Sequence, residues 1–343
     1  MTALSRVEKL VEAARRLADP SDDLGRRARA ILPVSTGLSP ENVELGLSEC
    51  LETHPSRQEL ESLCAFVAEA PRVWVGLAAN VFVAPLRAIA LALAQSEDVR
   101  VRPSRREPEF CRLLREASAT FDLVDSLEPE PGDSVWLYGS DESIAEVRKS
   151  FAAEAIVHAH GSGLGIAVVS TDNVDMARVA RALASDVVPF DQRGCLSPRI
   201  AFAIGDESAA RAFARELAAE LRAAEQRIPL GALSAEESAE ITRFRDTMRY
   251  GGELLPAGRG FVSVGQSWVV PPAGRNVAVI HSVDFPTAPA HLIAAVGLDG
   301  NDALDAWASE TFPRARRSRI GRMQRPAFDG PVDLRPCSSR EIV

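Results

Sequence analysis

Residues 73–102 read VWVGLAANVFVAPLRAIALALAQSEDVRVR and contain two short apolar runs on either side of an Ala- and Leu-rich segment. The runs at 73–77 and 99–102 are typical of buried strands, and residues 84–95 are typical of a helix. The alternation continues with helices predicted at 108–119 and 143–153 and strands predicted at 135–138, 155–158 and 166–169. Strands that alternate with helices indicate βαβ units in a parallel sheet. The predicted fold class is therefore α/β.

The remainder of the chain extends this pattern into a second lobe. In this second lobe, helices are predicted at 174–185, 208–226, 235–249 and 302–310, and strands at 200–204, 268–270 and 277–282. Two further helical regions, 4–31 and 40–70, precede the opening stretch. The tail, 318–335, is predicted to begin as a strand. Two α/β lobes meeting near residue 170 account for this order. We therefore expect one domain over residues 1–170, a second over 171–317 and a return segment over 318–343.

Composition excludes several classes of protein. The chain has 343 residues, 46% of them hydrophobic and 25% charged, with a net charge of −9. These values are ordinary for a globular protein, and the acidic balance argues against a nucleic-acid binder. No apolar run is long enough for a membrane helix, and the charged N-terminus lacks a signal peptide's apolar core. The five cysteines are scattered without a CxxC pair, so we expect a cytoplasmic protein with reduced thiols and no metal site.

Cys195 is the candidate nucleophile. It lies in the polar segment FDQRGCLSPR (190–199), just before an apolar strand. Catalytic nucleophiles favour loops held by regular elements, with small neighbours such as Gly194. Arg193 and Arg199 would lower the pKa of the thiol if their side chains point towards it. The alternative is an inert cysteine buried in a turn.

Three loops of the first lobe follow predicted strands, and ligands bind at that edge of open parallel sheets. Asn80 could donate its amide to a developing oxyanion, or could be an ordinary turn former. Arg102 and Ser104 belong to the cationic loop RPSRR (102–106), which suits ribose or phosphate recognition unless it is a solvated charged turn. Gly139 and Ser140 precede a helix, whose free amides could bind a pyrophosphate.

His158 and His160 lie two residues apart on a predicted strand and would share one face of it. A third ligand at a matching spacing is missing, so we do not expect a metal site. His160 remains a candidate general acid or base, because the ordinary pKa of imidazole lies near neutrality.

With these pieces in order, the chain resembles the acyl-CoA reductases of the aldehyde dehydrogenase superfamily. The branch it resembles is that of the fatty acyl reductases of bacterial luminescence operons. The Asp-Gln-x-x-Cys-x-Ser-Pro piece at 191–198 is the more specific match. Weaker matches follow in the family's order over 32–39, 79–82, 101–108, 139–142 and 322–330.

The resemblance implies a Rossmann-like cofactor domain within residues 1–170 and an α/β catalytic domain that carries the cysteine. It implies that Cys195 attacks an acyl-CoA or acyl carrier thioester, and that a hydride, from NADPH or alternatively NADH, releases an aldehyde. Asn80 matches the family's oxyanion asparagine. Arg102 and Ser104, with Gly139 and Ser140, match cofactor-contacting positions. A homo-oligomer is also implied.

Two departures from the family's pattern leave alternatives open. The family's catalytic glutamate would fall near Ala159, and its absence favours reduction over aldehyde oxidation. The chain also looks short at its N-terminus, so part of the cofactor domain or of an oligomerisation element is expected to be missing. A non-catalytic scaffold or partner subunit and an aldehyde-oxidising dehydrogenase are therefore the alternative functions.

Overall fold

The computed structural model of the chain describes residues 1–78, 80–151, 154–171, 175–299 and 302–335. The chain folds into two compact units. Unit 1 consists of Met1–Thr36, Val43–Ser162 and Ala327–Val343, and unit 2 consists of Gly37–Asn42 and Gly163–Pro326. The predicted boundary after residue 170 falls inside unit 2, and the predicted return segment is divided between the units after residue 326. The functions assigned to the domains stay predictions.

Unit 1 alternates helices with short strands. In chain order the elements are α1 (Ala3–Ala18), α2 (Asp23–Thr36), α3 (Pro40–Leu45, which begins in unit 2), a π-helical turn (Gly46–Cys50), α4 (Arg57–Phe66), β1 (Val73–Gly76), α5 (Pro85–Gln95), β2 (Val99–Arg102), α6 (Glu109–Ser118), β3 (Asp122–Leu123), β4 (Ser134–Tyr138), α7 (Asp141–Arg148) and β5 (Ile156–His160).

The five strands of unit 1 form a parallel sheet in the order β3-β2-β1-β4-β5. Helix α5, buried along its whole length, packs on one face, where its Gln95 accepts a hydrogen bond of 2.6 Å from Nε1 of Trp136. The other face packs Ile144 of α7 and Leu127 of the β3–β4 connection against Trp74. Successive strand residues point to opposite faces, so each strand supplies both layers. This arrangement is Rossmann-like.

Arg87 anchors the return segment to unit 1. Its side chain is only 3% exposed and donates hydrogen bonds of 2.7 and 2.8 Å to the carbonyls of Ala327 and Gly330. It also pairs with Glu52 and lies 4.9 Å from the centre of the Phe328 ring. A buried guanidinium needs this many partners because its charge has lost its hydration.

Unit 2 contains the second sheet. Its elements are β6 (Leu164–Ser170), α8 (Met176–Val187), a 3₁₀ turn (Pro189–Gln192), β7 (Pro198–Ile204), α9 (Glu207–Arg227), α10 (Ala235–Gly251), β8 (Glu253–Ala257), β9 (Gly260–Gly265), β10 (Val277–Ser282), a 3₁₀ turn (Ala290–Leu292), β11 (Ile293–Leu298), α11 (Asp302–Thr311) and β12 (Arg316–Arg319).

The seven strands of unit 2 lie in the order β12-β11-β6-β7-β10-β9-β8, and all neighbours except β8 and β9 are parallel. Apolar residues of the central strands, such as Ile166 and Phe202, form one core cluster with Leu304 and Ala308 of α11. Helices α8 and α9 pack against each other and against the sheet. Because β7 is central, the loop that precedes it is held by strands on both sides.

The prediction of a strand at 268–270 is wrong. Residues 268–270 form no strand, and the hairpin of β8 and β9 takes that place in the sheet. Gly258 lies in the turn of this hairpin with a φ of +77°, a backbone conformation that residues with a side chain rarely adopt. Pro271 and Pro272 follow directly and lack the N–H groups that a strand ladder requires.

Candidate active site

Cys195 lies in the turn between the 3₁₀ turn Pro189–Gln192 and strand β7. The residue is half-buried and forms no disulfide. The turn is closed by a 3.1 Å hydrogen bond from the backbone N–H of Ser197 to the carbonyl of Gly194. The thiol is therefore at the amino end of a central strand, on a backbone that the flanking residues hold in place.

Asp191 is the main anchor of this turn. Its carboxylate is fully buried and accepts hydrogen bonds from the amide of Asn42 at 2.9 Å, the guanidinium of Arg275 at 2.8 Å and the backbone N–H of Gly231 at 3.0 Å. Asn42 also accepts from the N–H of Phe190 at 2.9 Å. One side chain thus joins three segments that are far apart in sequence.

Gln192 holds the same turn from the other side. Its amide nitrogen donates to the carbonyls of Pro198 and Asn276, at 2.9 and 2.8 Å, and its oxygen accepts from the N–H of Asn276 at 2.8 Å. Phe190, Asp191 and Gln192 all have positive φ, at 55, 52 and 66°. Such conformations cost roughly 1–3 kcal/mol per residue and persist only when surrounding contacts impose them. The buried hydrogen bonds of Asp191 and Gln192 impose them here.

Gln324 links the tail of unit 2 to the cysteine turn. Its amide nitrogen donates to the Oγ of Ser197 at 3.1 Å and to the carbonyl of Asp186 at 2.7 Å. The carboxyl of Asp186 accepts from the N–H groups of Gly321 and Met323 at 2.5 and 2.9 Å. Burial raises the pKa of Asp186 to about 7, although these N–H groups oppose the shift. The segment around Gln324 is therefore fastened at both ends.

Arg193 and Arg199 are engaged by other groups. Arg193 forms an ion pair of 3.0 Å with Glu237 and donates to the carbonyl of Ala232. Arg199 donates to the carbonyl of Pro271 at 3.3 Å, and burial lowers its pKa. These contacts give no support to the expectation that the two arginines point towards the thiol.

The predicted cofactor residues Arg102 and Ser104 come together in unit 1. Both line a cavity of about 560 Å³ between the carboxyl ends of β1 and β2 and the first two turns of α7. The full lining is Leu77, Arg102, Pro103, Ser104, Arg105, Glu142, Ser143, Glu146 and Val147. A cavity of this size with mixed apolar and polar walls is typical of small-molecule sites.

Arg102 is the unusual charge in this cavity. It is half-buried, and among the described residues no acidic side chain pairs with it. Burial and the neighbouring Arg105 both lower its pKa. Removing a cation from water without pairing it is unfavourable, so an anionic or hydroxyl-rich ligand would stabilise this arrangement.

Gly139 and Ser140 form the turn that leads into α7. The N–H of Gly139 donates to the carbonyl of His160 at 3.3 Å, and the Oγ of Ser140 caps the helix by accepting from the N–H of Ser143. Asp141 turns towards the end of β5 and accepts from the N–H of Ser162 at 3.2 Å. A Cβ at Gly161 would lie 1.8 Å from this carboxylate, so a side chain at position 161 would displace Asp141 from this contact. Neither Gly139 nor Ser140 lines the cavity, but Ser143 does.

The other two predicted catalytic residues also belong to unit 1. Asn80 lies exposed in the bend after β1. His160, at the end of β5, is only 8% exposed, and its ring stacks on those of Trp136 and Tyr138 at centroid distances of 5.4 and 4.9 Å. Its Nε2 has no hydrogen-bond partner among the described residues. Burial is the main cause that lowers its pKa to about 4, which leaves the ring neutral at pH 7.

Sequence reasoning missed the residues that hold the cysteine turn from a distance. Asn42, Arg275 and Asn276 lie in segments without a recognisable motif. Gln324 lies within the piece 322–330 that carried part of the resemblance, but its bond to Ser197 has no sequence signal. Among the described residues, no group of three His, Cys, Asp or Glu side chains is arranged to hold a metal ion. None of the described helices is long and apolar enough to cross a membrane.

Comparisons with known proteins agree with this description. The family model for acyl-CoA reductase (LuxC) matches residues 42–280. No curated protein matches in a sequence comparison. Solved aldehyde dehydrogenases have the same fold. The aldehyde dehydrogenase KauB from Pseudomonas aeruginosa has a TM-score of 0.70 at 14% identity, over 94% of this chain and 77% of that one.

Two further solved structures give similar values. A γ-glutamyl-γ-aminobutyraldehyde dehydrogenase from Burkholderia cenocepacia has a TM-score of 0.68 at 14% identity, over 94% of this chain and 76% of that one. A protein assigned as a methylmalonate-semialdehyde dehydrogenase from Sinorhizobium meliloti, complexed with NAD, has a TM-score of 0.69 at 14% identity, over 98% and 79%. The expected aldehyde dehydrogenase-like fold is therefore confirmed.

The buried pair of Asp191 and Arg275 generates a stability prediction. The Asp191→Asn variant keeps the size of the side chain but leaves the charge of Arg275 unpaired in the interior. We expect the free energy of unfolding, measured by urea denaturation, to fall by about 3–5 kcal/mol. The exposed Asp246→Asn is the matched control and should change it by less than about 0.5 kcal/mol. Equal effects of the two substitutions would contradict the anchoring role.

The burial of His160 generates a pH prediction. Its pKa is about 4 in the folded protein against an ordinary value of 6.5, so the unfolded chain gains the proton first as the pH falls. The contribution of His160 to the free energy of unfolding is fully present well above pH 6.5 and decreases as the pH falls towards 4. Between pH 7.5 and pH 5 the free energy of unfolding should therefore fall by roughly 2 kcal/mol through this group. His160→Phe keeps a stacked ring and should lose less stability over this interval. The exposed His54→Phe serves as the control, and an unchanged pH dependence in His160→Phe would disprove the assignment.

Proposed function

The chain belongs to the LuxC acyl-CoA reductase family, and from this we propose that it reduces an acyl thioester, on CoA or on a carrier protein, to an aldehyde. The observation that carries the proposal is the match over residues 42–280, which includes the intact Cys195 turn. A scaffold would have no need for a half-buried cysteine on a turn held by Asp191 and Gln192. The proposed hydride donor is NADPH, with NADH as the alternative.

Cys195 is the proposed nucleophile. Its sulfur attacks the thioester carbonyl, the carbon–sulfur bond to the carrier breaks, and the carrier leaves as a thiol after taking up a proton. A reduced nicotinamide, when bound, supplies the hydride that the acyl carbon accepts. The bond to Cys195 then breaks, which releases the aldehyde and restores the thiolate. We assign the exposed amide of Asn80 the role of donor to the oxyanion, a contribution of about 3–4 kcal/mol in comparable sites.

Arg102 and Ser104 are proposed to hold the adenosine end of the dinucleotide. Leu77 and Val147 offer apolar walls for a base, and the half-buried guanidinium of Arg102 has no acidic partner among the described residues. Glu142 and Glu146 of α7 also line the cavity, so we place the anionic groups of the ligand beside Arg102. Arg105 adds a second positive charge, which favours a phosphorylated ribose. The turn at Gly139 and Ser140 leads into the helix that closes the cavity, whose amino end favours a pyrophosphate.

The surroundings of His160 argue against the proton-transfer role expected for it. The imidazole is neutral at pH 7, buried and stacked between aromatic rings, so we assign it to packing. Ala159, at the expected position of the family's glutamate, is buried in the core cluster beside Trp74 and Ile144. A carboxylate there would lose its hydration. This favours reduction over hydrolysis of the acyl-enzyme, and hence over aldehyde oxidation.

We also propose that the protein acts in the cytoplasm as a homo-oligomer. The described cysteines Cys50, Cys64, Cys111 and Cys195 form no disulfide, which suits a reducing compartment. The homo-oligomer is proposed from the family resemblance.

The nucleophile is tested by intact mass. The reduced protein, incubated with a panel of acyl-CoAs without nicotinamide, should gain the mass of one acyl group, and Cys195→Ala should gain none. Cys64→Ala is the matched control because Cys64 is also a partly exposed free thiol, and it should still be acylated. Absence of any adduct from acyl-CoAs and from acyl carrier protein would leave the scaffold function in place of catalysis.

The cofactor site is tested by Arg102→Gln. Loss of a charged hydrogen bond of about 1.5–3 kcal/mol should raise the KM for NADPH roughly tenfold to a hundredfold, with a smaller change in kcat. Arg106→Gln is the matched control, since Arg106 is exposed on the same loop and does not line the cavity. Equal changes in both variants would show that the effect is not specific to the cavity.

A further inference from the structure

Six arginines lie within residues 314–325, although the chain as a whole has a net charge of −9. We call these residues the arginine segment. It contains strand β12, which lies at the edge of the unit 2 sheet and pairs with β11. Such a local excess of positive charge opposes the acidic balance of the rest of the protein and would attract anions to this edge.

Most of these arginines are exposed, namely Arg314, Arg317, Arg319, Arg322 and Arg325. Arg319 pairs with Asp305 at 3.0 Å, and its side chain remains 53% exposed. Within the part of the chain that the structure describes, no acidic side chain pairs with Arg314, Arg317 or Arg322. Arg317 and Arg319 point to the same side of β12, since they are two residues apart on a strand. Like charges this close repel one another, and a bound anion would relieve the repulsion.

The strand register places this segment close to the cysteine turn. Arg316 pairs with Ala295, Ala295 with Gly165, and Gly165 with Pro198, which begins β7 three residues after Cys195. Three strand spacings, roughly 14 Å, separate the buried Arg316 from Pro198, and Arg317 is the next residue of β12. Arg319 is connected through Leu298 and Val168 to Phe202, four residues further along β7, so its backbone lies roughly 19 Å from that of Pro198. The far end of the segment is fastened to the same turn, through the 3.1 Å hydrogen bond from Gln324 to Ser197.

We propose that Arg317, Arg319 and Arg322 bind the phosphate groups of the phosphopantetheine carrier that delivers the acyl group to Cys195. This proposal rests on the proposed function. A phosphopantetheine arm carries its thioester at one end and its phosphate at the other, and an extended arm spans the separation between this edge and the cysteine turn. Guanidinium groups suit phosphate because their planar fork donates two parallel hydrogen bonds. In CoA the phosphates are the diphosphate and the 3′-phosphate, and in a carrier protein there is a single phosphodiester.

The test is direct binding, which requires no reduction and is therefore independent of the catalytic proposal. Isothermal titration calorimetry of the full chain with CoA, in reducing buffer, would compare the wild type with the double variant Arg317→Gln/Arg322→Gln. Both side chains are exposed, so folding should be unaffected. We expect the Kd for CoA to rise at least tenfold, with the Kd for pantetheine, which lacks phosphate, unchanged. Arg243→Gln, exposed on α10 in the same unit, is the matched control.

The outcomes separate this site from the cavity of unit 1. A loss of CoA affinity in Arg102→Gln with none in the double variant would overturn the proposal and assign the phosphates of CoA to the nucleotide cavity. Equal affinity in the double variant and the wild type, or no binding of CoA or of holo acyl carrier protein to the wild type, would also overturn it. If the double variant binds both CoA and holo acyl carrier protein more weakly than the wild type, the phosphate that the two carriers share is the group bound. If it binds only one of them more weakly, that molecule is the carrier that the arginine segment binds. If NADPH oxidation with acyl-CoA fails while CoA binding depends on Arg317 and Arg322, only the catalytic proposal falls.

Discussion

The buried ion pair between Asp191 and Arg275 is the constraint on which the cysteine turn of unit 2 depends. Both side chains are at most 1% exposed, so neither charge has water as a partner. Two ions removed from water are tolerated only when their geometry and additional hydrogen bonds offset the loss of hydration. Asn42 and the N–H of Gly231 provide these bonds. This pairing and the hydrogen bonds of Gln192 together impose the left-handed backbone of residues 190–192, and they hold Cys195 in position.

Charge is distributed unevenly over an otherwise acidic protein. Many arginines pair with nearby carboxylates, whereas Arg102 in unit 1 and Arg314, Arg317 and Arg322 in unit 2 have no acidic partner among the described residues. The substrates and cofactors of an acyl-CoA reductase are anions with several phosphates. Uncompensated guanidinium groups in both units are therefore consistent with an enzyme that binds two different phosphate-bearing molecules.

The chain shares its fold with aldehyde dehydrogenases, whereas its chemistry depends on a few individual residues. At about 14% identity the two-sheet architecture is retained, because parallel sheets tolerate many apolar substitutions that keep volume and pattern. The chemistry depends on single positions. Ala159 occupies a core site on β5, and His160 beside it is neutral and buried. Ala159 leaves this position of the strand without a carboxylate, which suits a reductase whose acyl-enzyme must avoid water.

The sequence by itself determined the α/β class, the order of most strands and helices, the family resemblance and the cysteine turn, because periodicity and the motif at 191–198 are local signals. It placed Arg102 and Ser104 at one sheet edge, and both line the cavity there. Only the tertiary structure decided that Asn42, Arg275 and Gln324 hold the turn, that the β8–β9 hairpin replaces a strand at 268–270, and that His160 is buried. These features depend on contacts between segments up to about 150 residues apart, and desolvation by such neighbours leaves no periodic trace in the chain.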